Sequence, residues 1–198
     1  GAHEDTLFFH LKYPEPMARR RVFHLDGELA EDGTFNAKIN IANFDVLANT
    51  EKGQHRYLSL EEQKEQWERQ LNKTVPVFNI TDFKRYDHTD SVGVTFDISG
   101  KGLTQSSGGL SLFKPDIFTE SAPNLLTAES RKSPIWLGTS IQRETNISWK
   151  IPVSMKAEKF EDSIQQECND CSIGFDLSVT NNQLKFNSKK IIRSKLIN

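Results

Sequence analysis

Cysteine is scarce in this chain, with two residues in 198, and methionine is equally rare. Two cysteines cannot build a disulfide-dense scaffold, so stability has to come from a hydrophobic core, which a chain of this length can bury. No apolar stretch approaches the ~20 residues that span a bilayer, and no membrane insertion is expected. The opening residues, Gly1 to Asp5, lack the basic head and apolar run of a signal peptide. Charge of one sign is also missing. The formal net charge of −2 gives no electrostatic reason to expect nucleic acid or acidic lipid as a partner. The basic spots at Arg19–Arg21 and Lys189–Lys195 read as solvated faces.

The motifs of catalysis are equally thin. There is no phosphate-cradling glycine loop and no Gly-x-Ser-x-Gly elbow. His3, His10, His24, His55 and His88 all precede the cysteines, which excludes the Cys, His, Asp order of papain-like and transglutaminase-like sites. An enzyme would need His24, His55 or His88 to meet a carboxylate and a Ser or Cys in a pocket. The segment Tyr86-Asp87-His88-Thr89-Asp90 reads as a solvated loop, with cation ligation as the sharper reading. Asn72, Asn79 and Asn146 begin N-x-S/T sequons, about what 13 Asn and 30 Ser plus Thr yield by chance. No catalytic, cofactor-binding or metal-binding residue is therefore expected.

What is present is β patterning. Phenylalanine is favoured at 13 copies, a residue suited to a pleated surface. Phe35, Ala37, Ile39 and Ile41 alternate with polar residues, as do Val92–Ile98, Ile147–Ile151 and Ile173–Val179. This period of two predicts half-buried antiparallel strands with one wet face. Glu31-Asp32-Gly33 predicts a hairpin between Val22–Leu29 and Phe35–Ile41. Thr180-Asn181-Asn182-Gln183 predicts another leading to Leu184 and Phe186. Ser59 and Glu62 form a capping box that opens one helix over about 59–73, with Leu60, Trp67 and Leu71 near one face. Gln105–Gly109 and Lys114–Asp116 read as loops.

The expected fold is all-β: antiparallel, β-sandwich-like sheets with one accessory helix. Residues 1–19 form a lead-in arm, and 20–198 form the module, with two subdomains splitting near 120–134 if it divides. Cys168-Asn169-Asp170-Cys171 lacks the second ligand pair of a zinc site and the helix start of a redox site. A local disulfide, which fits an oxidising compartment, or unpaired thiols remain. Trp67, Trp136 and Trp149 could form a sugar-stacking surface, and each also fits a core.

The order of elements carries a resemblance. A hairpin around Leu25-Asp26-Gly27-Glu28-Leu29 precedes a charged helix and strands around Phe78-Asn79-Ile80 and Val92–Ile98. Then come Gly109-Leu110-Ser111-Leu112-Phe113-Lys114-Pro115, Glu129-Ser130-Arg131-Lys132-Ser133-Pro134-Ile135 and Ile147-Ser148-Trp149-Lys150-Ile151-Pro152. Over residues 20 to 198 this resembles the uncharacterised C-terminal β domain that follows the transglutaminase-like core in secreted and envelope proteins of Gram-negative bacteria. Val153-Ser154 departs from the glycine expected after the proline. The resemblance implies a non-catalytic accessory module in the periplasm or outside the cell, partnered by a neighbouring domain or an envelope protein. The family's catalytic residues belong to the preceding domain and none maps here. A carbohydrate- or peptide-binding module is the alternative.

Overall fold

The computed structural model describes residues 18–107, 110–118, 135–136, 140–155, 163–169, 171–193 and 196–197. The lead-in arm and the 120–134 boundary region fall almost wholly outside these residues, as do His3 and His10.

Alternation of apolar and polar residues produces the first hairpin, β1 (Arg19–Leu29) and β2 (Thr34–Phe44). Gly33 takes a φ of 77° in its turn, and Asp32 accepts hydrogen bonds from the Thr34 amide and hydroxyl. Two helices follow, α1 (Asp45–Tyr57) and α2 (Leu60–Leu71). Next come β3 (Val77–Asp87) and β4 (Val92–Lys101), then the small hairpin β5 (Thr104–Ser107) and β6 (Leu110–Phe113). The short β7 (Ile135–Trp136) precedes β8 (Ile141–Lys150), β9 (Ser163–Cys168), β10 (Cys171–Thr180), β11 (Gln183–Ile192) and β12 (Leu196–Ile197).

Eight of these strands form one sheet in the order β3-β4-β2-β1-β8-β11-β10-β9. Strands from both sides of the 120–134 region therefore share a sheet. The join is a parallel pair, β1 with β8, in register Phe23↔Thr145 and Leu25↔Ile147. This corrects the purely antiparallel expectation. A local turn can only link antiparallel neighbours, and β8 reaches β1 by a long return of the chain.

The apolar face of the sheet carries Phe23, Leu25, Phe35, Ile39, Ile41, Phe96, Ile98, Ile147 and Trp149, all at most 2% exposed. Trp67 of α2 reaches Phe96 at 6.2 Å between ring centroids, and Phe83 stacks on Phe96 at 5.5 Å. Phe118 covers Phe23 at 4.6 Å, and Phe113 of β6 meets the Trp149 ring edge-on at 5.5 Å. Among the described residues, the second layer of the core is made by the helices, the β5–β6 hairpin and the segment ending at Phe118. A second large sheet, as in a sandwich, is not seen among them. Residues Gln105–Ser107, expected in a loop, are drawn into β5 by pairing with β6.

Helix α2 begins as its capping box predicts. Ser59 Oγ accepts from the Glu62 amide at 3.2 Å, and Glu62 accepts from the Ser59 amide at 2.7 Å. Helix α1 is a second correction, since one helix was expected. Phe44 offers no side-chain cap, Asp45 starts the helix at a φ of 52°, and Gly53 lies inside it. Its support is tertiary. Asn43, 1% exposed, receives the Arg21 Nε at 2.6 Å and donates to Glu51 at 3.2 Å. Arg85 donates to the His55 and Leu58 carbonyls at 3.0 and 2.7 Å, which terminates α1 and fixes the corner into α2. Among the described residues no helix is long and apolar enough to cross a membrane.

Candidate binding face

The alternation that buries Phe35, Ala37, Ile39 and Ile41 sends Asn36, Lys38 and Asn40 to the opposite face. Pairing aligns such residues into rows that cross the strands. One row runs Thr81–Asp97–Lys38–Asp26–Ser148–Lys185. The next runs Ser99–Asn36–Glu28–Lys150–Gln183, and a third runs Thr95–Asn40–His24–Asn146–Asn187–Asp176.

Three depressions lie along these rows. The largest of the three, about 720 Å³, is lined from β3, β4, β2, β1, β8 and β11 by residues that include Asp97, Lys38, Asp26, Glu28 and Lys150. A second of about 330 Å³ lies over β8, β11, β10 and β9, around Gly174 and Gln165. A third of about 130 Å³ connects them: it shares Asp26 and Ser148 with the first, and Asn146 and Asn187 with the second. Together they make a polar trough across the sheet, about 24 Å from β4 to β10 at the usual strand spacing.

Charge in the trough is mixed. Lys150 pairs with Glu28 at 3.0 Å, and Gln183 donates to Ser148 at 2.9 Å. Lys38 stands on the strand between Asp26 and Asp97, yet among the described residues no ion pair joins the three. Near the β9 end, Glu144 takes Lys189 at 3.4 Å and Arg20 at 4.0 Å. Burial alone would raise its pKa. The Gln142 hydrogen bond and the two cations outweigh that and hold it below the usual carboxylate range.

A second polar cluster lies behind α1. His55 Nε2 sits 3.5 Å from Glu51 Oε1, without the alignment of a hydrogen bond. Burial lowers the His55 pKa, the Glu51 charge opposes that shift, and Arg85 adds to it. The groups bonded around the pair are the Asn43 amide and Arg85, and they supply no nucleophile. Tyr86, from the expected solvated loop, donates its one hydroxyl proton toward the Ile41 carbonyl at 2.8 Å, with Asn40 Oδ1 3.0 Å away sharing it. Desolvation, with a contribution from the Glu51 charge, pushes its phenol up to about 12. His88 stacks on Tyr86 at 5.1 Å, and Asp87 pairs with Lys52 at 3.3 Å. Among the described residues no three His, Cys, Asp or Glu side chains gather as a metal site.

The other singled-out residues are scattered. Trp149 is fully buried and Trp67 is 9% exposed. They therefore give no shared stacking surface, because both rings fill the core. The Trp136 side chain lies outside the described residues. Cys168 and Cys171 are joined by a disulfide, with Cα atoms 5.0 Å apart, across the paired ends of β9 and β10. His24 is exposed at the centre of the trough. No family model, curated protein or solved structure matches the chain.

Proposed function

We propose that the chain is a non-catalytic accessory module of a larger periplasmic or extracellular protein with a transglutaminase-like, protease-like core. It acts by holding a neighbouring domain or an envelope partner on its polar sheet face. The trough is the observation that carries this reading. Its centre lies over the parallel β1–β8 pair, and parallel strands are usually covered on both faces. Among the described residues one face is packed and the other is left uncovered, lined by donors and acceptors from six strands. The Cys168–Cys171 disulfide supports an oxidising compartment. Sandwich-like packing, with the β5–β6 hairpin as the start of a second sheet, belongs to the same proposal.

A specific observation favours a second reading as a carbohydrate- or peptide-binding module. The line of amides Asn40, Asn146 and Asn187, beside carboxylates that form no ion pair among the described residues, suits an elongated polar ligand. The test is amide-shift mapping of the isotope-labelled chain. It is titrated with the core domain of the same polypeptide, then with soluble oligosaccharides and peptides. Shifts confined to His24–Glu28, Asn36–Asn40 and Asn146–Lys150, and lost in Lys38→Glu, are expected. Core-domain shifts confined to the helical face, or a hydrolytic activity of the isolated chain, would overturn the reading.

A further inference from the structure

The two edges of the main sheet are built differently. The β3 edge is interrupted by a register shift between Thr81 and Lys84, with Asp82 at a φ of 50° and Lys84 paired to it at 2.7 Å. A bulge and a lysine are the usual devices that keep an edge strand from pairing with another chain. The β9 edge has neither. Ser163-Ile164-Gln165-Gln166-Glu167-Cys168 holds one charge and no proline. It pairs with β10 in unbroken register from Cys168↔Cys171 to Ser163↔Asp176. Among the described residues its outer side carries no strand, and the disulfide pins the hairpin that presents it.

We propose that β9 pairs with β9 of a second copy, antiparallel about a two-fold axis through Gln165. In that register Gln165 faces Gln165, Ile164 faces Gln166, and Ser163 faces Glu167. No like charges are opposed, and the polar residues 163, 165 and 167 stay on one face. The apolar undersides then meet. Ile173 of β10, 44% exposed, lies beside Gln166, which in this register faces Ile164 of the partner copy. The troughs meet as well, because Gln165 lines the depression nearest the edge. The dimer presents one polar track across sixteen strands, so a long ligand is engaged twice. Six residues span only about 20 Å, a small interface, so the association is weak and concentration-dependent.

The test is sedimentation equilibrium of the full chain from micromolar to millimolar concentration. The wild type should show a monomer–dimer equilibrium. Gln165→Lys and Gln165→Glu, each alone, should weaken the dimer about fivefold, as like charges meet across the axis. An equimolar mixture of the two should restore it. Both substitutions are on an exposed strand, and circular dichroism verifies that they fold. A wild type that stays monomeric throughout overturns the proposal. So does a dimer that both charge variants leave unchanged.

Discussion

Gly27→Ala is the substitution with the clearest expected cost. Gly27 and Trp149 are register partners on β1 and β8, and the Trp149 ring lies across the glycine. A Cβ at Gly27 would sit 2.3 and 2.5 Å from Trp149 Cζ3 and Cε3, and 3.0 Å from the Ala37 Cβ. The ring has nowhere to retreat. Its edges meet Phe35 at 6.0 Å and Phe113 at 5.5 Å, and its Nε1 donates to the Pro115 carbonyl at 3.0 Å. Overpacking of a tight core costs about 1–3 kcal/mol, and a displaced indole also loses a buried hydrogen bond worth about 1 kcal/mol. The expected total is about 3 kcal/mol, or roughly 10 °C in Tm for a chain of this size. Urea unfolding followed by circular dichroism reads it directly. A cycle with Trp149→Leu isolates the clash, since Gly27→Ala should add almost nothing once the indole is gone. A single variant within about 0.5 kcal/mol of wild type, or an additive cycle, refutes the packing argument.

Three further outcomes follow from the same structure. Gly53→Ala should stabilise by about 0.5–1 kcal/mol, because the residue lies inside α1 and a Cβ there meets nothing within 4 Å; thermal unfolding checks the sign. Arg85→Met should cost about 3 kcal/mol and raise amide exchange in α1. It removes the bonds to the His55 and Leu58 carbonyls and the 2.7 Å bond to Gln63, which is 2% exposed; a loss under about 1 kcal/mol would count against the clamp. Tyr86, with its phenol pushed up to about 12 from 10.0, should ionise late in an ultraviolet titration. Its contribution is full below the unfolded pKa and lost as pH rises through the folded one, so stability falls between about pH 10 and 12 and Tyr86→Phe flattens that fall.

The parts of the fold written as local pattern were legible in the sequence. The alternation in Phe35–Ile41 and Val92–Ile98 becomes β2 and β4 with the expected faces inward. Asn181 and Asn182, at φ of 49° and 60°, make the two-residue turn expected between β10 and β11. Ser59 and Glu62 close their capping box. Helix α1 was not legible, because Gly53, Thr50 and an uncapped start give it little intrinsic propensity. It is held by Asn43, just before its start, and by Arg21 and Arg85 from strands distant in sequence. The β1–β8 pairing was hidden for a related reason: period-two patterning assigns faces but not neighbours. The trough had a visible signal in the polar alternates Asn36, Lys38 and Asn40. Only pairing with β1, β4 and β8 turns those alternates into rows.

The arrangement of charge in those rows bears on how a partner is chosen. Asp97, Lys38 and Asp26 lie on adjacent strands and, among the described residues, form no ion pair with one another. Each therefore keeps its hydration while the face is open. A partner that covers the trough strips that hydration and has to return it group by group, or the buried charges disfavour the complex. The Lys150–Glu28 pair needs less, since each already meets an opposite charge. Selectivity should thus concentrate at the Asp97–Lys38–Asp26 row. A surface offering a cation, an anion and a cation at strand spacing is accepted there, and the opposite pattern is repelled. Lys38→Glu leaves three carboxylates side by side and should reverse that preference. Lys150→Glu, at the rim, should change affinity without changing which partner is chosen.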